Sequence, residues 1–472
     1  MKVIHVSAEC YPAAKVGGLA DVVGALPKYQ TNLNYEAAVV MPYYENKFAK
    51  SSKYITDFKT TVQLGENSFK ATILKVKNSE KDLGYPLYQV KIDDLLDRKE
   101  VYGYGDDTER FIAFQKVFLD WVLQFAVKPQ VIHCHDHHTG LIPFMLTQCT
   151  AYIPIRSIPT IFTIHNAQYQ GEFSFEKIHY LPEYDLEQSG MLEWDYAINP
   201  MAAAIKACWR FTTVSPNYMT ELPYAATGLD WLFDTERDKS VGILNGIDTE
   251  VWNPSSDKMI EKNYTVKTVE TGKLANKKIL CDKFNLDINK PLVAFIGRLV
   301  YQKGADIMAG IFDKALDAND INGLVLGSGD SHAEYLLNEL KEKYPGRYNT
   351  YIGYSEELSH LIYAGADFLI MPSRFEPCGL NQLYALRYGT IPVVRTTGGL
   401  KDTVKDIGEK GGFGIRHDHV TVDNVALAIT RANKLYNDTE EFKRIRKEIM
   451  NIDNSWENSA NEYIQLYNQL AQ

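Results

Sequence analysis

Short apolar runs alternate with longer helical patterns along this 472-residue chain. The runs are rich in Val, Ile and Leu and show little polar alternation, which is typical of parallel strands covered on both faces. Because parallel strands are joined by long and usually helical crossovers, the pattern predicts an α/β fold with doubly wound sheets. The predicted strands are Lys2–Val6, Ala37–Met41, Ala71–Val76, Val131–Cys134, Thr160–Ile164, Phe211–Val214, Leu292–Ile296, Leu324–Leu326, Phe368–Met371 and Pro392–Arg395.

The strand series starts again near residue 290, after a charged segment, 253–290, that lacks strong periodicity. Two series predict two domains, residues 1–250 and 251–455. We expect residues 456–472 to form a C-terminal helix that packs back on the first domain. Ligands of open α/β sheets bind outside the carboxyl ends of the strands, so a cleft between two facing domains is the predicted active site.

The charge balance narrows the classes of partner. Lys and Arg number 50 and Asp and Glu number 60, which gives a net charge of −10. This excess of acidic residues argues against a nucleic-acid partner and against an anionic membrane surface. No run of eighteen apolar residues occurs, and the six cysteines are scattered without a CxxC pair, so we expect a cytoplasmic protein with reduced thiols.

Three loops carry patterns that suit a phosphate-bearing ligand. Lys15, Gly17 and Gly18 follow the first strand and precede a helical pattern, where glycines permit close backbone approach and a helix start favours anions. Arg298 and Lys303 follow the strand Leu292–Ile296 and offer two cations to phosphate oxygens. The alternative for the first loop is that the glycines only form a turn between strand and helix. The alternative for the second is that Arg298 and Lys303 are solvated surface side chains.

The third loop, 373–384, follows the strand Phe368–Met371 and places Glu376 just before a helix. The adjacent backbone at Gly379 and Leu380 could face a diphosphate, and a second glycine loop at 396–400 resembles it. A carboxylate that only satisfies the helix dipole is the alternative interpretation of Glu376.

Histidines end two of the predicted strands. The set His133, His135, Asp136 and His138 has residue types that bind zinc, manganese or iron, so a metallohydrolase is an open alternative. His165 ends the next strand and is well placed for a ligand site, although a structural role would also explain it. Asn245 lies in an Asn-Gly turn near the predicted domain boundary.

Taken together, these motifs resemble the family of bacterial glycogen synthases and plant starch synthases. The segments that carry the resemblance occur in the family's order from Lys15 to Val404: KVGGLADV, HCHDHHTGL, TIHNAQYQG, VSPNY, GILNGIDTEVWNP, GRLVYQKG, SRFEPCGLNQLYALRYG and RTTGGLKDTV. The resemblance implies a GT-B fold of two Rossmann-like domains. It implies transfer of glucose, with retention, from ADP-glucose to the 4-OH end of an α-1,4-glucan such as glycogen, without a metal or another cofactor.

Residue roles follow from the resemblance only where the motifs match. Catalytic roles fall on His165, Glu376, Arg298, Lys303 and Asp136. Donor-binding roles fall on Lys15, Gly17, Gly18, Asn245, Arg298, Lys303, Tyr354, Glu376, Cys378, Gly379, Leu380 and Thr397. Acceptor-side roles fall on Glu9, Asp21 and Asp136. The chain departs from the family at His137, where a Trp is usual. A GT-B transferase with another acceptor and a non-catalytic glucan-binding protein are further alternatives.

Overall fold

The computed structural model describes residues 1–225 and 228–471. It divides into two compact units. Unit 1 comprises Met1–Asn245 together with the C-terminal segment that begins at Trp456, and unit 2 comprises Gly246–Ser455. The chain therefore leaves unit 1 once, after Asn245, and returns to it once, at Trp456.

The strands of unit 1 precede those of unit 2 along the chain. In unit 1 they are β1 Val3–Val6, β2 Ala37–Pro42, β3 Tyr54–Leu64, β4 Asn67–Val76, β5 Leu87–Ile92, β6 Val131–His135, β7 Thr160–Ile164, β8 Glu193–Trp194, β9 Ala197–Ile198, β10 Arg210–Thr213 and β11 Ser240–Gly242. In unit 2 they are β12 Leu292–Ile296, β13 Asn322–Gly327, β14 Tyr348–Ile352, β15 Phe368–Met371, β16 Ile391–Arg395 and β17 Ile415–His417.

Helices separate most of these strands. Unit 1 contributes α1 Gly18–Asn32, α2 Lys47–Ser51, α3 Ser79–Asp82, α4 Asp107–Leu123, α5 Ile142–Gln148, α6 Pro200–Ala207, α7 Pro216–Ala225 and α8 Asp230–Thr235. Unit 2 contributes α9 Val269–Phe284, α10 Ala305–Ala318, α11 Ser331–Lys343, α12 Glu356–Gly365, α13 Asn381–Arg387, α14 Gly398–Thr403, α15 Val422–Asn437 and α16 Thr439–Ile449. The last helix, α17 Trp456–Leu470, belongs to unit 1 again.

Each unit is built on a sheet in which the chain winds both ways from the first strand. In the described part of unit 1 the order is β11-β10-β7-β6-β1-β2-β5-β4-β3, and in unit 2 it is β14-β13-β12-β15-β16-β17. The pairs in unit 2 are parallel, as are those from β11 to β5 in unit 1. The predicted α/β fold with doubly wound sheets is confirmed.

One edge of the unit 1 sheet was not predicted from the sequence. Strand β4 runs antiparallel to both β3 and β5. In β3 the exposed and buried positions partly alternate, as on a strand with one solvated face. Continuous apolar runs therefore indicate part of β4 but do not indicate β3, its hairpin partner.

The charged segment after residue 253 also differs from expectation, because it contains the sixteen-residue helix α9. This helix buries Lys273, Asn276 and Lys277. The Nζ atom of Lys273 donates to the carbonyls of Tyr363 and Tyr388 at 3.0 and 3.1 Å. Polar side chains on the buried face weaken the hydrophobic periodicity on which the sequence prediction relied.

Asp367 joins four elements of unit 2. Its carboxylate accepts hydrogen bonds from Lys277 of α9 at 2.8 Å, from the backbone N–H of Leu292 at 2.8 Å and from Arg446 of α16 at 2.7 Å. Burial alone would raise the pKa of Asp367, but the two cations and the hydrogen bonds hold it below its usual value. The carboxylate is thus an ionised anchor just before β15.

Helix α17 packs on α1. Trp456, Tyr463 and Tyr467 are buried in a cluster that includes Val22 and Leu26. Ser459 donates to the carbonyl of Leu244, which ties the helix to the end of the first chain segment of unit 1. The C-terminal helix is therefore an integral part of the unit 1 core.

None of the helices in residues 1–225 and 228–471 is both long enough and apolar enough to cross a bilayer.

We expect Asp367→Asn to destabilise unit 2 strongly, because it removes the charge that compensates two buried cations. Breaking one partner of a buried ion pair costs about 3–5 kcal/mol of unfolding free energy. The measurement is urea unfolding followed by circular dichroism. Asp423→Asn is the control, since Asp423 forms an exposed pair with Lys314 and should leave the midpoint nearly unchanged. Equal midpoints for the two variants would contradict this account.

Candidate active site

The winding of each sheet reverses between two neighbouring strands, and the candidate residues follow those strands. In unit 1 the reversal lies between β1 and β6, and in unit 2 it lies between β12 and β15. The loop with Lys15, Gly17 and Gly18 follows β1, and Asp136 follows β6. Arg298 and Lys303 follow β12, and Glu376 follows β15. Crevices of this kind, at the carboxyl ends of reversal strands, are where open α/β sheets bind ligands.

Glu9 orders the glycine loop after β1. Its Oε2 atom accepts hydrogen bonds from the backbone N–H groups of Val16 at 2.5 Å and Gly17 at 2.9 Å, and its Oε1 atom accepts from the Tyr102 hydroxyl at 2.8 Å. The Gly17 N–H therefore binds a protein carboxylate in this structure. A Cβ atom at Gly17 or Gly18 would meet nothing within 4 Å, so packing does not explain these glycines. The open space beside them leaves room for a ligand.

Lys15 and Asp21 form an ion pair with a distance of 2.7 Å between Nζ and Oδ1. Both side chains keep partial exposure, 38% for Lys15 and 27% for Asp21. Asp21 lies in the first turn of α1, where a carboxylate also interacts favourably with the helix dipole. The pair holds the lysine head beside the glycine loop, and the exposure leaves it accessible to an anion.

Asp136 has an unusual backbone conformation immediately after β6. Its φ is 56° and its ψ is 175°, a region that glycine occupies readily and other residues occupy at a cost of about 1–3 kcal/mol. The Oδ1 atom accepts the backbone N–H of His165 at 2.8 Å. Burial raises the pKa of Asp136 to about 7, although the N–H groups of His165 and Asn166 oppose the rise. Strain and a pKa near neutrality are both typical of functional carboxylates.

His165 lies at the end of β7 with 9% of its surface exposed. Its Nε2 atom is 3.0 Å from Nδ1 of His135, and burial lowers its pKa to about 3. The imidazole is therefore neutral at physiological pH. Its Nδ1 atom has no hydrogen-bond partner among the described residues, so this atom can bind a ligand.

The residues of the metallohydrolase alternative do not form one set of metal donors. Among described side chains, ring nitrogens of His5, His133 and His135 lie within 4.8 Å of one another, but Asp136 and His138 are not part of the group. Both ring nitrogens of each of the three histidines already take part in hydrogen bonds. His138 instead stacks on the ring of Tyr102 at 4.6 Å. The cluster is thus a hydrogen-bonded core.

Asn245 is the last residue of the first unit 1 segment and is 8% exposed. Its Oδ1 atom is buried and has no hydrogen-bond partner among the residues that the structure describes. An unsatisfied buried amide oxygen costs about 1–3 kcal/mol, which a donor group on a ligand would recover. The observation supports a ligand-binding role for this side chain.

In unit 2, Lys303 pairs with Glu376. The lysine lies in a 3-10 turn, Tyr301–Lys303, and its Nζ atom donates to Oε2 of Glu376. Ser373 donates to the same oxygen at 2.9 Å. Gly304, with φ of 76°, follows the lysine and lies so close to the Pro372 carbonyl that a Cβ would come within 2.9 Å of it. The glycine therefore permits the loops after β12 and β15 to meet.

Arg298 differs from Lys303, because its side chain is exposed and its guanidinium has no ion pair or hydrogen bond to the described residues. The loops after β15 and β16 pack closely against each other. A Cβ on Gly398 would lie 2.0 Å from the Glu376 carbonyl oxygen, and one on Gly399 would lie 2.3 Å from that of Cys378. These glycines bring the loop that contains Thr397 against the backbone next to Glu376.

The remaining predicted donor residues of unit 2 differ in burial and in backbone conformation. Cys378 and Thr397 are buried, and Gly379 adopts a φ of 74° that favours glycine. Leu380 precedes the first turn of α13, where Asn381 donates to the Ile296 carbonyl at the end of β12, at 2.7 Å. Tyr354 is 76% exposed, and its hydroxyl donates to Glu356.

Sequence reasoning missed several supporting residues. Ser373 and Tyr102 each bind a predicted carboxylate, while His5 and Gln30 contact the histidine cluster. The serine lies three positions before Glu376 in the same loop, 373–384. His5 lies within a strand and Gln30 within a helix, and no local pattern distinguishes them from core residues.

Comparison with known proteins places this chain in a family. A family profile described as starch synthase catalytic domain matches residues 2–235, and one described as glycosyl transferases group 1 matches residues 276–449. The chain is 51% identical to a glycogen synthase of Flavobacterium johnsoniae over 474 residues, which covers the whole of both chains. It is 39% identical to a glycogen synthase of Geobacillus thermodenitrificans, covering all of this chain and 98% of that protein.

A solved structure of a starch synthase is also similar to this chain. The catalytic domain of starch synthase IV from Arabidopsis thaliana, bound to ADP and acarbose, is similar with a TM-score of 0.90 and 31% sequence identity over 99% of each chain. Sucrose-phosphate synthase from Thermosynechococcus elongatus has a TM-score of 0.60 at 17% identity and shares the fold. The chain belongs to the glycogen and starch synthase family of glycosyltransferases and is a hexosyltransferase of that family.

Proposed function

We propose that this enzyme transfers glucose from ADP-glucose to the non-reducing 4-OH end of an α-1,4-glucan, with retention of the anomeric configuration. The contact between Lys303 and Glu376, with the exposed Arg298 in the same loop as the lysine, is the observation that carries the proposal. It combines positive charge for a diphosphate with a carboxylate for sugar hydroxyls at the reversal point of one sheet. ADP is favoured because the similar Arabidopsis starch synthase structure is described as bound to ADP and acarbose.

Unit 2 supplies the groups for the leaving diphosphate. Cleavage of the bond between glucose C1 and the phosphate oxygen leaves negative charge on the nucleoside diphosphate. Arg298 can offer a planar fork and Lys303 a point charge to that oxygen, and preorganised cations of this kind stabilise charge as it develops. The backbone at Cys378, Gly379 and Leu380 lines the same region, with Thr397 beside it. Arg298 and Lys303 supply the positive charge for the diphosphate, so the proposed reaction needs no metal ion.

Unit 1 supplies the groups for the sugar and its acceptor. Asp136 in its ionised form stabilises the positive charge that develops at the sugar ring. His165 and Asn245 present bare acceptor atoms that suit sugar hydroxyls, and Lys15 adds a cation near the glycine loop. Glu9 and Asp21 act by holding that loop and its lysine in place.

The proposed transfer balances without a further reactant. The bond between C1 and the phosphate oxygen breaks, and a bond forms between C1 and the acceptor O4 on the same face of the sugar. The proton of the acceptor hydroxyl passes to the departing phosphate oxygen. Attack from the face that the phosphate leaves preserves the α configuration.

Tyr354 is proposed to stack on the nucleotide base. Its exposed ring offers a flat surface, and base stacking of this kind contributes about 1–3 kcal/mol. Because every base has a π face, this contact alone does not distinguish adenine from uracil.

The cysteines described in the structure are buried free thiols, which supports the proposed cytoplasmic location.

The direct test incubates the purified full-length protein with ADP-glucose or UDP-glucose and with glycogen, and measures the released nucleoside diphosphate. We expect glucan-dependent release that is faster with ADP-glucose and unaffected by a chelator. Faster release from UDP-glucose would contradict the donor assignment. Release that requires a metal would contradict the proposed charge stabilisation.

Lys303→Ala and Glu376→Ala should each reduce kcat in this assay at least about 100-fold, since losing one preorganised charge-stabilising group typically costs 10²–10³ in rate. Lys314→Ala is the matched control, because Lys314 also lies in unit 2 in an ion pair but is exposed on α10. All three variants should keep the circular dichroism spectrum of the folded wild-type protein at the assay temperature. Turnover near that of wild type in both site variants would contradict the assignment.

The rate should also fall on acidification through the pKa of Asp136. Because its folded-state pKa is about 7, the carboxylate is ionised above that pH and becomes neutral below it. We expect kcat/KM to decrease about tenfold per pH unit below 7. Asp136→Asn should lower the plateau and abolish this limb, whereas Asp93→Asn, which alters an exposed carboxylate, should preserve it. An unchanged acidic limb in Asp136→Asn would refute the assignment.

A further inference from the structure

Four buried histidines of unit 1 lie side by side on β1, on β6 and directly after β7. His5 lies on β1 opposite His133 on β6, and His135 follows two positions later on β6. The ring centroids of His133 and His135 are 4.2 Å apart, and those of His135 and His165 are 5.3 Å apart. The row begins beneath helix α1 and ends at His165, which the proposed function places beside the sugar.

A continuous chain of hydrogen bonds runs along part of this row. Nε2 of His5 is 2.8 Å from Oε1 of Gln30, and Nδ1 of His5 is 3.0 Å from Nε2 of His135. Nδ1 of His135 is in turn 3.0 Å from Nε2 of His165. Each ring therefore connects to the next through one nitrogen and to the previous group through the other.

The amide of Gln30 gives this chain a direction. Its Nε2 atom donates to the Tyr467 hydroxyl at 3.1 Å, which turns the amide oxygen toward His5. An amide oxygen can only accept, so Nε2 of His5 must carry the proton. A neutral imidazole has one N–H, which leaves Nδ1 of His5 as an acceptor. His135 must then donate from Nε2, and His165 must donate from Nε2 as well.

This proton assignment requires that the imidazole rings are neutral, and the burial of the rings keeps them so. Burial lowers the pKa of His5 to about 4 and that of His165 to about 3, and it lowers the pKa of His135 far below its usual value. At neutral pH each ring thus carries a single proton. The remaining atom, Nδ1 of His165, keeps its lone pair.

We propose that Gln30, acting through His5 and His135, fixes His165 in the Nε2–H tautomer, so that its bare Nδ1 accepts a hydrogen bond from a hydroxyl of the bound sugar. Gln30, His5 and His135 are positioning residues for His165. The identity of the hydroxyl-bearing ligand rests on the proposed function. The tautomer itself rests on the hydrogen-bond geometry alone.

The C-terminal helix takes part through Tyr467. Its hydroxyl accepts from Gln30 and lies 2.7 Å from Nδ1 of His133, to which it donates. Nε2 of His133 then donates to the Thr163 hydroxyl at 2.6 Å. The Gln30 amide therefore has a partner on each side, His5 at its oxygen and Tyr467 at its nitrogen.

Removing the amide should reverse the chain. In Gln30→Met, an N–H at Nε2 of His5 would be buried without an acceptor. Burying this unsatisfied donor costs more free energy than burying an unused lone pair at the same nitrogen. His5 would then donate from Nδ1 to His135, and His135 would donate from Nδ1 to His165. The proton of His165 would consequently move to Nδ1, and the sugar hydroxyl would lose its acceptor.

The test is NMR of the full-length protein with ¹⁵N-labelled histidine, in which ring nitrogen shifts and their couplings to ring protons identify each tautomer. Of the 11 histidines, the His165 signals are assigned by their loss in His165→Asn. We expect Nε2–H at His165 in the wild type and Nδ1–H in both Gln30→Met and His5→Phe. Gln115→Met is the matched control, because Gln115 is an equally buried glutamine whose amide serves Leu141 and Ile142.

Transfer activity provides a second readout. Gln30→Met should lower kcat/KM about tenfold, equivalent to one hydrogen bond of about 1.4 kcal/mol, whereas Gln115→Met should retain the wild-type tautomer at a similar loss of stability. Nδ1–H at His165 in the wild type, or an unchanged tautomer in folded Gln30→Met and His5→Phe, would overturn the proposal. The predicted tautomers together with no transfer from ADP-glucose would instead refute the proposed function and leave the tautomer assignment intact.

Discussion

Parallel pairing of strands is the constraint on which the candidate site depends. It requires a crossover after each strand and brings the carboxyl ends of neighbouring strands to the same edge of the sheet. In both units the chain reverses its winding beside its first strand, so loops separated by more than 70 residues in sequence meet there. The contact of Lys303 with Glu376 results from this reversal. The contact of Asp136 with the backbone of His165 results from the parallel pairing of β6 with β7, whose carboxyl ends lie at the same edge of the sheet.

Each unit also contains a polar core that positions its site. In unit 2 the ionised Asp367 joins two helices to the strands β12 and β15, which precede the Lys303 and Glu376 loops. In unit 1 the buried histidines connect α1 and α17 to the end of β7, where His165 lies. Removing one partner from such a network is costly, because the groups that remain are buried without compensation. The cores therefore couple the stability of each unit to the geometry of its site.

The sequence predicted the parallel strands on both sides of each winding reversal and the loops that follow them, because buried parallel strands are continuous apolar runs and glycine loops have a distinctive composition. It did not predict the parallel strands β5, β11, β14 and β17. It failed where side chains satisfy one another across the fold. Helix α9 was missed because its buried Lys273 and Lys277 disrupt the apolar pattern. The role of Gln30 depends on partners on β1 and α17, up to 437 residues away, which no local pattern specifies. For the same reason HCHDHH suggested metal ligands, although the ring nitrogens of His133 and His135 bind neighbouring side chains instead.

The most direct test of the account is the structure of the newly formed bond. ADP-glucose labelled with ¹³C at C1 is incubated with the enzyme and a short α-1,4-glucan, and the product is examined by NMR before secondary reactions occur. The account predicts that the labelled carbon appears in an α linkage to O4 of the former non-reducing end. A β linkage, attachment at another hydroxyl or release of free labelled glucose as the main product would contradict it.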